Sequence, residues 1–170
     1  MESSVASEPG IALWLASACL LGCATRYDGG HCAFPALVEM AARGLVLPFC
    51  PEVAGGLPVP RPPAECCGGD GNGVLAGMAR VRTAQGVDVT EAFLAGAERA
   101  LSVVRRLGIR RAVLKESSPS CGVHWVHDGS FEGRLVSGCG VTTALLRRYG
   151  IDVCSEEEWL RVHGGSAGKR

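Results

Sequence analysis

Three cysteines follow three separate apolar segments of this chain. Cys19 ends IALWLASAC, Cys50 ends LVLPFC, and Cys121 lies in SPSCG, a few residues after AVLK. The carboxyl ends of parallel strands open onto one crevice, where α/β folds bind ligands, so these thiols are predicted to meet there. Three thiolates can hold an iron–sulfur cluster and leave one iron without a protein ligand. An iron that is open in this way can take part in chemistry.

The spacing of these cysteines argues against several common sites. None of the three belongs to a CxxC pair, which disfavours a zinc ribbon, a thiol redox protein and the clustered ligands of bacterial ferredoxins. Free cysteine is also a frequent small core residue, so the spacing alone leaves ligand and core residue open as alternatives. The total of nine cysteines is odd, so complete internal disulfide pairing is impossible.

Alternating strands and helices are predicted to position the cysteines. The continuous apolar runs are typical of strands buried on both faces, and the helices show apolar residues at helical spacing. The predicted strands cover 11–17, 45–49, 109–115 and 151–154, and the predicted helices cover 35–43, 91–107, 141–149 and 156–162. Asp88 or Thr90 is expected to cap the longest helix, and Ser155 the last one. This order predicts an α/β fold with a mostly parallel sheet flanked by helices.

The remaining segments are predicted to form loops and hairpins. Residues 51–73 are rich in Pro and Gly, so they form either a shaped wall of the site or a mobile surface loop. Residues 74–89 are expected to form short strands or a hairpin, and a second hairpin is expected around Asp128-Gly129. The length of 170 residues predicts a single domain over 11–163, with flexible tails at 1–10 and 164–170.

The amino-acid composition limits the binding partners and the cellular compartment that can be expected. The 17 basic and 17 acidic residues cancel, so nothing favours nucleic-acid binding through broad electrostatics. The apolar stretch from Ile11 to Leu21 is too short to span a membrane, and no positive region precedes it. The cytoplasm is therefore the expected location, and its reducing conditions favour metal binding or thiol chemistry over disulfides.

A series of ordered motifs runs from about residue 16 to about residue 155. The segments are SACLLG, RYDGG, CPE, GGLPVPRPPAE, GGDG, VT-EAF-GA, LK-SSPSCG, DG-FEG and GCGVTTALL. Through these motifs the chain resembles the thiouracil desulfidase family. The resemblance implies a Rossmann-like α/β domain that holds a [4Fe-4S] cluster through three cysteines, with one open iron. It also implies removal of sulfur from a thiolated uracil without net redox change.

The resemblance assigns the three ligands residue by residue. They fall on Cys19 in SACLLG, Cys50 in CPE and Cys121 in SPSCG. Cys66 and Cys67 depart from the apolar residues that the family pattern shows before GGDG. They are expected to be buried, because a fourth thiolate on the cluster would fill the open iron.

Candidate catalytic residues lie beside these ligands. Glu52, two residues after Cys50, is the first choice for the general acid/base, with a surface carboxylate or a loop cap as the alternative. Ser118 and Ser120 either contact the substrate or bond their own turn. Arg61 either binds a substrate phosphate or forms a salt bridge between loops, and the salt bridge is the preferred interpretation.

These residues support one function and leave alternatives. The leading hypothesis is iron–sulfur-dependent desulfuration of a small thiolated pyrimidine, either thiouracil or its nucleoside or nucleotide. Demodification of thiolated tRNA on the same scaffold is a second hypothesis, weakened by the zero net charge. A non-catalytic iron–sulfur or metal carrier is a third, and it requires no acid beside the cluster.

Overall fold

A parallel sheet and two antiparallel ribbons make up the strands of this protein, in a computed structural model that describes residues 13–164. The predicted tail at 1–10, the first two residues of the first strand, and 165–170 lie outside the described residues. In chain order the elements are β1 (Trp14–Ser17), a 3₁₀ turn (Ala18–Leu21), α1 (Pro35–Ala42), β2 (Val46–Phe49), α2 (Pro51–Ala54), β3 (Ala64–Cys67), α3 (Gly71–Leu75), β4 (Arg80–Thr83), α4 (Thr90–Arg106), β5 (Arg111–Leu114), β6 (Trp125–His127), β7 (Leu135–Ser137), α5 (Val141–Arg148), β8 (Asp152–Ser155) and α6 (Glu156–His163).

The central sheet is four-stranded and parallel. Its order is β2-β1-β5-β8, with Leu15 paired to Leu47 on one side and to Ala112 on the other. The α/β prediction is confirmed, including the parallel pairing. The chain leaves β1 first toward β2 and later enters β5 on the opposite side. This reversal makes the carboxyl ends of β1, β2 and β5 the place where such a sheet opens a crevice.

Helices cover both faces of the sheet because successive side chains of a buried strand point to opposite sides. Leu15 packs in a core with residues of α4 and α5, including Val104 and Leu146. Its neighbours Trp14 and Ala16 belong to a second core, with α1 and α6. No helix within the described residues is both long and apolar enough to cross a lipid bilayer.

The segment from 51 to 89 differs in part from its prediction. Residues 51–73 are not one long loop, because they contain α2, β3 and the first residues of α3. Residues 74–89 contain the short strand β4, as expected, but its main partner is β3, upstream of α3. Within 74–89 the antiparallel pairing is limited to one bridge, between Arg82 and Asp88. Asp70 begins α3 by accepting hydrogen bonds from the backbone N–H groups of Asn72 and Gly73.

The starts of two helices test the predicted caps. Val89 occupies the cap position of α4, so neither Asp88 nor Thr90 caps it as predicted. The side chain of Asp88 accepts from the Thr90 N–H, while the Thr90 hydroxyl bonds to β4 instead. The cap of α6 is confirmed, because Ser155 and Glu158 form a reciprocal capping box.

Candidate active site

A cavity of about 530 Å³ opens at the carboxyl ends of β1, β2 and β5. Cys19, Cys50 and Cys121, which follow these three adjacent strands, all line it. The crevice expected from the strand order is therefore present. The remaining predicted site residues also line this cavity: Glu52, Ser118 and Ser120.

Cys19 and Cys50 are held by the turns that follow their strands. Cys19 lies in the 3₁₀ turn, and its carbonyl accepts a hydrogen bond from the Cys32 N–H at 3.0 Å. Cys50 is the cap residue of α2, and its Sγ lies 3.9 Å from the carbonyl oxygen of Thr25. Burial raises the pKa of Cys19, and the nearby thiols of Cys121 and Cys32 add to that effect.

Cys121 is held in a buried loop that α5 fixes in place. The backbone N–H groups of Val141 and Thr142 donate to the carbonyls of Pro119 and Ser120, at 3.0 and 2.9 Å. A side chain at Gly140 would meet the Ser120 carbonyl carbon at 2.4 Å, so only glycine permits this approach. The loop therefore has little freedom to move Cys121.

The three cavity cysteines supply the thiol donors that an iron–sulfur cluster requires. Burial raises the pKa of Cys121 to about 12, and the nearby Cys50 and Glu52 add to the effect. Such thiols ionise readily only when a positively charged metal centre binds them. Within residues 13–164, no three His, Cys, Asp or Glu side chains surround one point as ligands of a single ion would. A cluster does not need that arrangement, because its cysteines bind different iron atoms.

Glu52 lines the cavity and forms an ion pair with Arg61. One Nη of Arg61 lies 2.9 Å from Oε2 of Glu52 and also donates to the Thr25 carbonyl. The other Nη donates to the carbonyl of Pro58. Arg61 is 8% exposed and is not among the lining residues, so the preferred salt-bridge interpretation is confirmed. Among the described residues Oε1 of Glu52 accepts no hydrogen bond, which leaves it free for a water molecule.

The helix that carries Glu52 packs closely against α4. A side chain at Gly96 would lie 1.9 Å from the carbonyl oxygen of Pro51, and one at Gly55 would lie 2.0 Å from that of Ala92. Two glycines thus allow backbone-to-backbone contact between α2 and α4. This contact places α2, and with it Glu52, directly against α4.

Ser118 and Ser120 form a chain of hydroxyl groups that leads to Cys121. The Ser118 oxygen accepts from the N–H groups of Ser120 and Cys121, as in a serine turn. The two hydroxyls lie 3.0 Å apart, and Ser120 donates to Sγ of Cys121 at 3.7 Å. Both serines therefore make the local bonds that the alternative interpretation described, while they remain on the wall of the cavity.

Glu116 braces the same loop from the carboxyl end of β5. Its Oε1 accepts hydrogen bonds from the backbone N–H groups of four residues: Ser117, Val123, His124 and Trp125. Burial alone would raise the pKa of Glu116, but the bonds from His124, Trp125, Val123 and Ser117 outweigh it and hold the pKa below its ordinary value. The ionised carboxylate is therefore the form that stabilises the loop.

This bonding predicts a pH-dependent contribution of Glu116 to stability. Because its pKa is lowered in the folded state, the contribution is present above the ordinary value of about 4.5 and is lost as the pH falls through the folded-state pKa. We expect Glu116→Gln to lower the free energy of unfolding at pH 7 by about 1 kcal/mol, since the carboxylate is partly exposed. Urea unfolding of the metal-free protein at several pH values measures this. The difference should shrink below pH 4.5, and Glu132→Gln, on an exposed loop, should show none of it.

The other six cysteines are not among the residues that line the cavity. Cys66 is buried, and its thiol donates to the carbonyl of Pro119, while Cys67 faces the carbonyls of Glu65 and Gly129. Neither lines the cavity. The expected burial is confirmed for Cys66, whereas Cys67 is only partly buried. The remaining four also lie outside the lining: Cys23, Cys32, Cys139 and Cys154.

Lys115, just after β5, lines the cavity, is half-buried and pairs with Glu156 at 2.6 Å. Two further lining residues escaped the sequence analysis. Glu65 and Phe131 also line the cavity, although they belong to β3 and to the β6–β7 loop rather than to the central sheet. The DG-FEG segment was the available signal for Phe131, but nothing in its local pattern indicates that it reaches the site.

Comparisons with known proteins identify the family of this chain and agree with its fold. The family model described as 2-thiouracil desulfurase matches residues 15–158. A solved structure described as the [4Fe-4S]-dependent thiouracil desulfidase TudS is 47% identical, with a TM-score of 0.78, over 90% of this chain and 96% of that one. A Bacillus subtilis (strain 168) protein known as the uncharacterized protein YbbK is 42% identical over 144 residues, 85% of this chain and 95% of that protein. The chain is thus a member of the 2-thiouracil desulfurase family.

Proposed function

We propose that this protein is a [4Fe-4S]-dependent desulfidase that converts a thiolated pyrimidine, with 2-thiouracil as the leading candidate, to the corresponding uracil and sulfide. One observation carries the proposal: three cysteines from three adjacent strand ends line a single cavity together with an ion-paired glutamate. Family membership and the 47% identical thiouracil desulfidase support the same activity. Cys19, Cys50 and Cys121 would hold the cluster.

The reaction exchanges sulfur for oxygen without net redox change. A C–O bond forms to water, the C–S bond breaks, and the two protons of water end on the departing sulfide, giving hydrogen sulfide. When bound, a cluster with three protein ligands supplies a Lewis acid with high affinity for sulfur. The protein then has to place the ring and to move the protons of the attacking water.

Glu52 has the position needed for the proton transfer. Arg61 holds Oε2, while Glu52 lines the cavity and Oε1 is the proposed acceptor of a proton from water. The same carboxyl can then return the proton to the departing sulfur. Arg61 acts through Glu52, because its three hydrogen bonds to Glu52, Thr25 and Pro58 fix the carboxylate in one orientation.

The charges around the cavity favour an uncharged substrate. The two cations among the described lining residues are both paired: Arg26 with Asp28 at 3.3 Å and Lys115 with Glu156 at 2.6 Å. A phosphate entering the cavity would have to compete with these carboxylates. The free base is therefore a better fit than a nucleotide or a thiolated tRNA.

We expect the enzyme to discriminate against a phosphorylated substrate. The ratio kcat/KM for 4-thiouracil should exceed that for 4-thiouridine monophosphate by about tenfold or more, the equivalent of roughly 1.4 kcal/mol. Anaerobic reconstitution followed by sulfide measurement with each compound tests this, and 2-thiouracil in the same series tests the position of the sulfur. Equal or better turnover of the monophosphate would contradict the preference for a free base.

The same assay tests the proposed function. The reconstituted protein should contain about four iron atoms per chain, the content of one cluster, and should release sulfide and uracil in equal amounts from 2-thiouracil. A protein that binds the cluster but releases no sulfide from any thiolated pyrimidine would instead be a non-catalytic iron–sulfur carrier.

A further inference from the structure

The loop between β6 and β7 carries an aromatic residue to the cavity. Phe131 lines the cavity that the three cysteines share, and it is half-buried there. It comes from an antiparallel ribbon that is separate from the central sheet. Neither the cluster ligands nor the proton transfer makes use of this ring.

The backbone of Phe131 is held in an unfavourable conformation. Its φ of 60° lies in the left-handed region, which bulky residues rarely adopt. Such a conformation persists only where the surroundings impose it, and it is concentrated at ligand-binding and active sites. The conformation therefore needs a cause within the structure.

Glu65 supplies that cause. Its Oε2 accepts hydrogen bonds from the N–H groups of Phe131 and Gly129, at 3.0 and 2.9 Å, and the residue is only 8% exposed. Gly129 packs so closely that an added Cβ would lie 2.8 Å from the carbonyl oxygen of Cys66. The Asp128 side chain closes the loop by accepting from the N–H and hydroxyl of Ser130. The loop is thus fastened to β3 by a buried carboxylate.

We propose that Phe131 forms a stacking wall for the pyrimidine ring of the substrate and that Glu65 is the positioning residue that holds it there. The inference rests on the proposed function for the identity of the ring. A planar heterocycle gains from an aromatic face, whereas an aliphatic side chain of similar size offers only apolar contact. A ring that is already fixed loses little conformational freedom when the substrate binds.

The test replaces the aromatic face and keeps the apolar volume. Phe131→Leu should raise KM for 2-thiouracil about tenfold with little change in kcat, and Phe131→Tyr should stay close to the unsubstituted protein. Leu and Phe meet the same backbone restriction at this φ, so the comparison isolates the ring. Leu135→Ala, on the exposed face of the same ribbon, is the matched control and should change neither constant.

Glu65 is tested by loss and by conservative rescue. Glu65→Ala removes the acceptor for both N–H groups and should raise KM about as much as Phe131→Leu does. Glu65→Gln keeps an oxygen acceptor and should restore most of the binding. If Glu65→Gln and Glu65→Ala are equally impaired, Glu65 does not act by holding the loop through these hydrogen bonds.

A binding measurement distinguishes an error in the role of Phe131 from an error in the proposed desulfidase function. Calorimetric titration of the reconstituted protein with uracil and with 2-thiouracil should show about tenfold weaker binding to the Phe131→Leu variant. If Phe131→Leu binds both compounds as tightly as the unsubstituted protein, Phe131 does not stack on the substrate ring, and the proposed desulfidase function is unaffected. If the unsubstituted protein binds the rings but releases no sulfide, the function fails and the binding comparison still decides the role of Phe131. If it binds neither ring, both proposals fall.

Discussion

Alanine at Cys19, Cys50 or Cys121 is expected to abolish cluster binding and sulfide release together. Each thiol follows a different strand of the sheet, and all three line one cavity. Cys32, whose thiol lies near Cys19, is not among the residues that line it. A cluster needs thiolate ligands, and removing one from a three-ligand site leaves two iron atoms without protein donors. Iron and sulfide content after anaerobic reconstitution, together with the visible absorbance of the cluster, measure the loss.

Cys139→Ser is the matched control for this prediction. Cys139 is also buried and hydrogen-bonded, because its thiol accepts from Asn72 and faces Asp70, but it lies outside the cavity lining. A serine hydroxyl can replace both contacts. The variant should therefore bind iron and release sulfide at nearly the unsubstituted level. Loss of the cluster in Cys139→Ser, or its retention in any of the three alanine variants, would mean that the ligand assignment is wrong.

Glu52→Gln is expected to lower kcat by about 10²- to 10⁴-fold while the cluster content is unchanged. The amide keeps an oxygen that can accept from Arg61, so the packing of the loop is preserved. It cannot take a proton from water at neutral pH, so the proposed proton transfer is lost. Sulfide release under saturating 2-thiouracil measures kcat, and iron content measured on the same sample reports the cluster.

Two comparisons make the Glu52 result specific. Glu52→Asp keeps a carboxylate but withdraws it from the cavity, so intermediate activity is expected. Glu39→Gln, on the exposed side of α1, should leave kcat unchanged. Full activity in Glu52→Gln would exclude Glu52 as the proton acceptor and direct attention to another lining carboxylate, Glu116 or Glu65.

The central sheet was predictable because the local sequence pattern of its strands is distinctive. β1, β2 and β5 are short apolar segments, and the predicted segments 11–17, 45–49 and 109–115 contain them, while β8 runs one residue past its predicted end at 154. β3 was not predictable in this way. Its partner β4 lies beyond α3, and the antiparallel pairing depends on contacts that no local period records. The Pro- and Gly-rich composition around β3 indicated a loop, and tertiary pairing overrode that local preference.

The site residues also divide into those that local sequence predicts and those that depend on tertiary packing. Residue type and position at strand ends were sufficient to select Cys19, Cys50 and Cys121 as the group that meets in the cavity, because parallel strands place their carboxyl ends together. Glu52 was selected by its connection to Cys50. Its partner Arg61 was assigned a salt bridge, but the acceptor was not predictable, since the ion pair joins α2 to the loop that follows it and local patterns do not record how that loop folds back.

The sequence by itself determined the α/β class, the alternation of strands and helices that makes the sheet parallel, and the three cysteines whose thiols meet at the crevice. These features follow from periodicity and from the geometry that all parallel sheets share. Only the tertiary structure decided that Arg61 holds Glu52, that Glu116 braces the loop of Cys121, and that Glu65 fastens Phe131 beside the cavity. Each of these is a contact between segments that the chain brings together only when it packs, and a hydrogen bond depends on distances of a few tenths of an ångström that local patterns do not carry.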